Sequence, residues 1–319
     1  MATYFYIIIN ETAGGGKTRR LWPEIKQELD QRNINYDFTF STYHKHAVQL
    51  AEQWAKHIDY NKIPNPVLLA IGGDGTFHES LTGLINAHVS PQIPIGYVPI
   101  GSGNDFARGM KMSLDWRHAL TQILNCTHEN IINIGTYNDT LKHERGIFTN
   151  NLGIGFDAAV VSRANHSKKK GLLNRFHLGS ISYLASLIGV LYNQEAFPLT
   201  VHIDDKRDIY PKAFLVTTSN HPFFGGGVKI LPPASVKDEA LDLIIIERQN
   251  IFVLLFLLIM IFIGKHLNFK AVHHYHGKKI QLSISSIEFG QIDGEEMGGR
   301  YWDVYLGVQS YPVWIDPTI

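Results

Sequence analysis

The run Val67-Leu68-Leu69-Ala70-Ile71 is wholly apolar and passes without a spacer into Gly72-Gly73-Asp74-Gly75-Thr76. An unbroken run of this kind reads as a strand covered on both faces, as in a parallel sheet. The glycines then fall at a strand end, where ligands of such sheets bind. Glycine lets backbone N–H groups approach an anion closely. Asp74 cannot serve a phosphate directly, since both are negative. It suits a Mg2+ ion that neutralises the phosphates. A plain turn needs one glycine and no acid.

A second loop repeats the arrangement. Ile93 to Ile100 is strand-like and leads into Gly101-Ser102-Gly103-Asn104-Asp105-Phe106-Ala107-Arg108. Ser102, Asn104 and Asp105 bring polar groups to a helix start. Asn and Asp are also ordinary helix N-caps, so Asp105 has two readings.

The surrounding pattern is βαβα. Tyr4 to Ile9, Tyr36 to Phe40, Val67 to Ile71 and Ile95 to Val98 read as strands. Between them, Thr18 to Arg32 places Leu21, Trp22, Ile25 and Leu29 at helical spacing, and Ala47 to Ile58 turns Val48, Leu50, Ala51 and Trp54 inward. A helix over Phe77 to Asn86 completes the alternation, which predicts a doubly wound α/β domain over residues 1–130. From Ile131 the texture changes to short apolar runs separated by turn residues: Gly146 to Leu152, Leu199 to Asp204, Lys212 to Ser219, Leu241 to Glu247, Lys279 to Ser283, Glu288 to Ile292 and Trp302 to Val308. These predict an antiparallel, β-rich sandwich domain over 131–308.

Lys+Arg and Asp+Glu both number 29, so no net charge draws the chain to nucleic acid. The single cysteine, Cys126, excludes an internal disulfide and a Cys-based zinc site, and fits a reducing cytoplasm. Met1 leads at once into a strand pattern, so no signal peptide is expected. The apolar run Ile251 to Ile263 is shorter than the roughly 20 residues a membrane span needs. It reads either as a buried helix or as one offering a face to lipid or to a partner chain. Lys168, Lys169, Lys170 and Arg175, ahead of an apolar stretch with Leu184, Leu187, Ile188 and Leu191, suit an anionic membrane surface or a solvated loop.

Gly72 to Thr76 and Pro99 to Arg108 together resemble the diacylglycerol kinase catalytic-domain family, in its bacterial lipid kinase type. The opening loop Asn10-Glu11-Thr12-Ala13-Gly14-Gly15-Gly16-Lys17 and the late Asp293-Gly294-Glu295 extend the resemblance over nearly the whole chain, in the family's order. Glu11 replaces a usual proline, Ala13 a frequent serine, and His78 a common asparagine. NAD kinases share the GGDGT motif but carry a further segment that this sequence lacks. Gly16-Lys17-Thr18 does not complete a phosphate-binding P-loop, because Glu11 stands where that motif needs glycine. Gly153 to Ala158 mimics a dinucleotide fingerprint without the acid that should follow, and reads as close backbone packing, with Asp157 facing the cleft as the lesser reading.

The resemblance implies ATP and Mg2+ as cofactors. It implies ATP contacts from Asn10, Glu11, Thr12, Ala13, Gly14, Thr42, Gly73, Asp74, Gly75, Thr76, Phe77, His78, Glu79 and Ser102. Lys17 is either a phosphate-side cation or a solvated lysine. It further implies catalytic roles for Asp74, through Mg2+, and for Glu295, as the general base that takes the acceptor's proton. A structural Mg2+ in the second domain would take the Asp238 side chain and the Ser235 and Ala240 carbonyls, although Glu239 replaces the usual glycine. The tail 309–319 would return to the first domain. The expected protein is a cytoplasmic lipid kinase, peripherally associated with the membrane, acting on diacylglycerol. A sphingoid base or other amphipathic alcohol is the alternative acceptor, and a non-catalytic nucleotide sensor the alternative function. A homodimer is left open.

Overall fold

The computed structural model describes residues 3–166 and 189–318. Lys168, Lys169, Lys170 and Arg175 lie outside those residues, as do Leu184, Leu187 and Ile188. The chain divides into two compact units. One comprises Met1–Ile134, Gly225–Gly227 and Gln309–Ile319, the other Gly135–Phe224 and Val228–Val308.

In the first unit, β1 (Tyr4–Ile9), β2 (Asn35–Phe40), β3 (Pro66–Gly72) and β4 (Ile95–Pro99) form a parallel sheet in the order β2-β1-β3-β4. The helices α1 (Ala13–Gln31), α2 (His46–His57) and α3 (Asp74–Asn86) connect these strands, and α4 (Asp105–Gly109) and α5 (Trp116–Leu124) follow. Every residue of β3 is buried, which is why its sequence lacks polar alternation. At the tail, Val313 pairs in parallel with Ile95, and the Tyr311 hydroxyl donates to the Ile93 carbonyl at 3.0 Å.

Of the residues expected on the inward face of α2, Ala51 is buried, but Val48, Leu50 and Trp54 are only partly so. The buried face is Ala47, Ala51 and Ala55. A Cβ at Gly83 of α3 would run into the Val48 carbonyl and the Ala51 side chain, so the two helices approach too closely for larger residues. Trp54 is half-buried and stacks on Tyr6, with ring centroids 4.7 Å apart.

The second unit is built on antiparallel pairing. Its elements begin with β5 (Asn130–Asp139), β6 (Glu144–Phe148), β7 (Asn151–Gly155) and α6 (Phe156–His166). They continue with β8 (Phe197–Ile203), β9 (Lys206–Ser219), β10 (Phe223–Phe224), β11 (Val228–Lys229) and β12 (Leu241–Glu247). The last are α7 (Ile251–Phe262), β13 (Val272–Gly277), β14 (Ile280–Ile292) and β15 (Glu295–Val313). The order is β13-β12-β9-β7-β14-β15, with β8 pairing β14 and β9. Phe148, Leu199, Val201, Leu243, Ile245, Leu282, Trp302 and Val304 fill one core. Phe156, Phe214, Leu231, Ile244, Leu254 and Leu257 fill a second, which α7 helps to cover.

Two strand readings are corrected and one strand is added. Gly146 to Leu152 is two strands, broken at Thr149-Asn150, whose N–H groups turn to the Asp293 carboxylate. Lys279 to Ser283 and Glu288 to Ile292 are parts of one strand, β14, with a register shift between Ile284 and Glu288. The histidine-rich stretch Val272–Gly277, which shows no strand pattern in the sequence, is strand β13. His274 and His276 pair with the buried Asp242, and His273 with Glu247, across β12. Among the described residues, no helix is long and apolar enough to cross a membrane.

Candidate active site

The strands β1, β3 and β4 of the first unit each end in a glycine-bearing loop, and these loops pack on one another. Gly14, Gly15 and Gly16 take φ values of 60, 66 and 84°, a region that side chains rarely adopt. A Cβ on Gly14 would overlap the Ile100 carbonyl, and one on Gly101 would sit 2.6 Å from the Gly73 Cα. Glycine is thus required for the loops to meet. Beneath them Phe77 stacks on Phe106 at 4.1 Å and tilts against Tyr97 at 5.1 Å, a buried aromatic floor that fixes their positions.

Local hydrogen bonds close each loop. Asn10 Oδ1 accepts from the Thr12 N–H and hydroxyl at 3.1 and 2.8 Å, while Glu11 pairs with Arg19 at 3.5 Å. Ala13 opens α1, and Lys17 is exposed. Thr42, after β2, donates its N–H to His46 Nδ1. Gly73 starts α3 without a side-chain cap; Gly75 is exposed and His78 half-buried. Thr76 Oγ1 is buried without a hydrogen-bond partner. Glu79 is committed locally, accepting the Lys45 and Ala47 N–H groups at 2.9 and 3.2 Å, at the start of α2. Ser102 is exposed.

Asp74 and Asp105 converge beside Gly103, whose Cβ would lie 3.3 Å from Asp74 Oδ2 and 3.8 Å from Asp105 Oδ2. Asp74 accepts the Asp105 and Phe106 N–H groups at 3.2 and 3.3 Å, so it ties the two loops together as well as facing the site. It is half-buried at the first turn of α3 and does not sit on an exposed loop. Asp105 is 6% exposed, and its Oδ2 accepts the Gly226 N–H at 2.8 Å. Burial pushes its carboxyl above the ordinary value, against the Gly226 and Gly227 N–H groups and Arg108. Its Oδ1 has no hydrogen-bond partner, and Arg108 Nε stands 3.9 Å away. Two close carboxylates, one with an orphaned buried oxygen, make a donor set suited to a hard divalent cation. Sequence reasoning missed Gly226, although the run Gly225-Gly226-Gly227 was visible; its φ values are 60, 91 and 108°.

A cavity of about 810 Å3 lies at the other strand ends of the same unit, lined by Thr3, Pro66, Pro94 and Trp314 among others. None of the loop residues above lines it.

In the second unit, Glu295 is exposed at the start of β15. Asp293 and Gly294 form the two-residue turn before it, with φ of 50 and 84° and Ile292 paired to Glu295. Asp293 accepts the Thr149 N–H and hydroxyl at 2.7 and 2.8 Å, and the Asn150 and Asn151 N–H groups at 2.8 and 2.9 Å. Gln291 braces the turn from within: its Oε1 accepts the Gly294 N–H at 2.8 Å, and its Nε2 donates to Asp157 Oδ2 at 3.3 Å. Burial pushes the Asp157 carboxyl up to about 7, against hydrogen bonds from Thr217, Gln291 and the Ala158 N–H. Gly153 is glycine because a Cβ there would overlap that carboxylate. Nearby, burial pushes His221 down to about 4. The Phe223 N–H donates to its Nδ1, which leaves Nε2 as donor to Asn150 Oδ1 at 2.9 Å.

Ser235 and Asp238 share one turn, closed by the Asp238 N–H on the Ser235 carbonyl at 3.0 Å. Asp238 is exposed, Ala240 is buried, and Glu239 pairs with Lys278 at 2.9 Å.

The profile of the diacylglycerol kinase catalytic domain matches residues 4–137, and that of the YegS C-terminal NAD kinase beta sandwich-like domain matches 150–305. This chain belongs to the diacylglycerol kinase catalytic-domain family. It is 29% identical over 298 residues to YtlR of Bacillus subtilis (strain 168), a candidate lipid kinase, covering 93% of this chain and 94% of the relative. It is 26% identical to a diacylglycerol kinase of Staphylococcus saprophyticus, over 96% of this chain and 92% of that one. A crystal structure of a candidate diacylglycerol kinase from Bacillus anthracis str. Sterne shares the fold, with a TM-score of 0.75, 21% identity and coverage of 99% and 98%. The family is one of lipid kinases, and its fold is an α/β catalytic domain followed by a strand-rich domain.

Proposed function

We propose that this member of the family is an ATP- and Mg2+-dependent kinase that phosphorylates a hydroxyl of a membrane lipid, converting diacylglycerol to phosphatidic acid. The observation that carries the reading is the convergence of Asp74 and Asp105 at the ends of β3 and β4, with one buried oxygen left unpaired. Mg2+ held by these two acids would offset the charge of the ATP phosphates. The loop backbones from Asn10 to Gly14 and from Gly73 to Glu79, with Thr42 and Ser102, bind and orient the nucleotide. The uncapped N-terminus of α3 favours an anion there. Phosphoryl transfer asks mainly for such positioning and charge neutralisation.

Glu295 would take the proton of the lipid hydroxyl as that oxygen attacks the γ-phosphorus, while the bond from phosphorus to the β,γ-bridging oxygen breaks and ADP leaves. Its place after a two-residue turn clamped by Asp293 and braced by Gln291 suits a group that must be held rigidly. In the turn from Ser235 to Ala240, Asp238 offers the side chain that a structural Mg2+ would take. The protein acts in the cytoplasm, at the membrane where its acceptor resides.

The test is phosphate transfer from radiolabelled ATP to diacylglycerol, monoacylglycerol, sphingosine, phosphatidylglycerol and NAD, presented in parallel. The reading predicts Mg2+-dependent labelling of diacylglycerol above the others. Labelling of sphingosine alone would move the acceptor to sphingoid bases. ATP binding without labelling of any acceptor would make the protein a nucleotide sensor.

A further inference from the structure

The structure assigns the outer face of α7 to docking on an anionic membrane surface. This rests on the lipid kinase reading, which requires the enzyme to meet its acceptor in a bilayer.

The helix Ile251–Phe262 carries no polar residue, yet only one side of it is covered. Leu254, Leu257 and Ile261, at spacings of three and four, are buried against the unit's second core. Phe252, Phe256, Ile259 and Ile263 follow the same spacing on the opposite side and are 80, 49, 60 and 56% exposed, with Phe262 beside them at 58%. Large apolar side chains gathered on one helix face mark an interaction site rather than ordinary surface. Phe269, partly buried against the same core, supports Phe256 from beside the helix, with ring centroids 5.5 Å apart. The helix is also firmly started, since Asn250 Oδ1 accepts the Val253 N–H at 3.0 Å. A mere frayed end is thereby excluded.

Charge decides the occupant. Between Glu247 and Glu288 the chain has no carboxylate, but it carries five cations. Arg248 is committed to the Leu191 carbonyl and Lys278 to Glu239, which leaves Lys265, Lys270 and Lys279. Lys265 and Lys270, which follow the exposed patch in sequence, are themselves exposed. Cations beside apolar side chains match acidic headgroups over acyl chains. A second copy docked symmetrically through this face would meet the same cations and no acid of the segment. At 12 residues, about 18 Å long, α7 is too short to cross the hydrocarbon layer, so it would lie in the interface plane.

The experiment is vesicle flotation of the full chain, with phosphatidylglycerol-containing and pure phosphatidylcholine vesicles, at low and high salt. Wild type is compared with the triple variant Phe252→Gln/Phe256→Gln/Ile259→Gln and with Lys265→Gln/Lys270→Gln. The exposed positions let both variants fold, which far-UV circular dichroism and thermal melting check. The triple variant should lose at least ~10-fold in binding to anionic vesicles, and the lysine variant should lose the preference for anionic over neutral vesicles. Both should phosphorylate a dispersed short-chain diacylglycerol as wild type does, and only vesicle-borne substrate should suffer. Wild-type flotation of the triple variant would overturn the assignment. So would a shift from dimer to monomer in that variant with vesicle binding unchanged, which would make the face a contact between copies. The kinase reading fails separately, if wild type floats but labels no lipid.

Discussion

Asp293 holds Thr149 twice, accepting its N–H at 2.7 Å and its hydroxyl at 2.8 Å, and so pins the turn that carries Glu295 to the β6–β7 connection. The same carboxylate takes the Asn150 and Asn151 N–H groups. Asp293→Ala would strand these donors, at a cost of about 3 kcal/mol for partly buried groups, and would release the turn. The expected result is a lower denaturation midpoint for the second unit together with faster amide exchange at Thr149 to Asn151. Wild-type exchange at those amides would contradict the clamp.

Asp157 makes stability pH-dependent. Its carboxyl rises from 3.8 to about 7 in the folded chain, so the native state holds the proton more tightly than the unfolded one. The stabilisation is complete below pH ~4 and is lost as pH rises through the interval up to about 7. Asp157→Asn keeps an acceptor for Thr217 and Gln291 without titrating. Between pH 5 and 8, wild type should lose on the order of 2–3 kcal/mol relative to this variant in urea unfolding. His221 titrates alike in both proteins and cancels from the difference. Parallel stability profiles would show that Asp157 is ionised throughout.

Asp74→Asn should lower lipid phosphorylation at least ~100-fold, the scale of one electrostatic contact in a preorganised site. Because Asp74 also accepts the Asp105 and Phe106 N–H groups, an amide nitrogen facing one of them should lower stability by about 1 kcal/mol as well. Raising Mg2+ should recover part of the activity and none of the stability. Full activity at ordinary Mg2+ would remove Asp74 from the metal.

Much of the first unit was legible because its signals are local. An unbroken apolar run marks β3, and the glycines that follow it mark the loop. The inward face of α2 was misread because nothing local reveals that Gly83 lets α3 come close enough to demand alanines. In the second unit β13 was hidden by its histidines, whose polarity makes sense only beside Asp242 and Glu247 on β12. The partners of the site acids lie far along the chain: Gly226 is 121 positions from Asp105, and Thr149 is 144 from Asp293. Such pairings follow from the fold, and no motif spells them out.

Glu295→Gln removes the one proton acceptor that the proposed kinase mechanism assigns to the lipid hydroxyl. The variant keeps shape and hydrogen bonding but cannot accept a proton. It should bind Mg·ATP as wild type does by calorimetry, and lose phosphate transfer to micellar diacylglycerol by roughly 100- to 10,000-fold. Glu296→Gln, its neighbour, should stay within a few-fold of wild type and so controls for local disturbance. Phosphate transfer by Glu295→Gln at the wild-type rate would contradict the account.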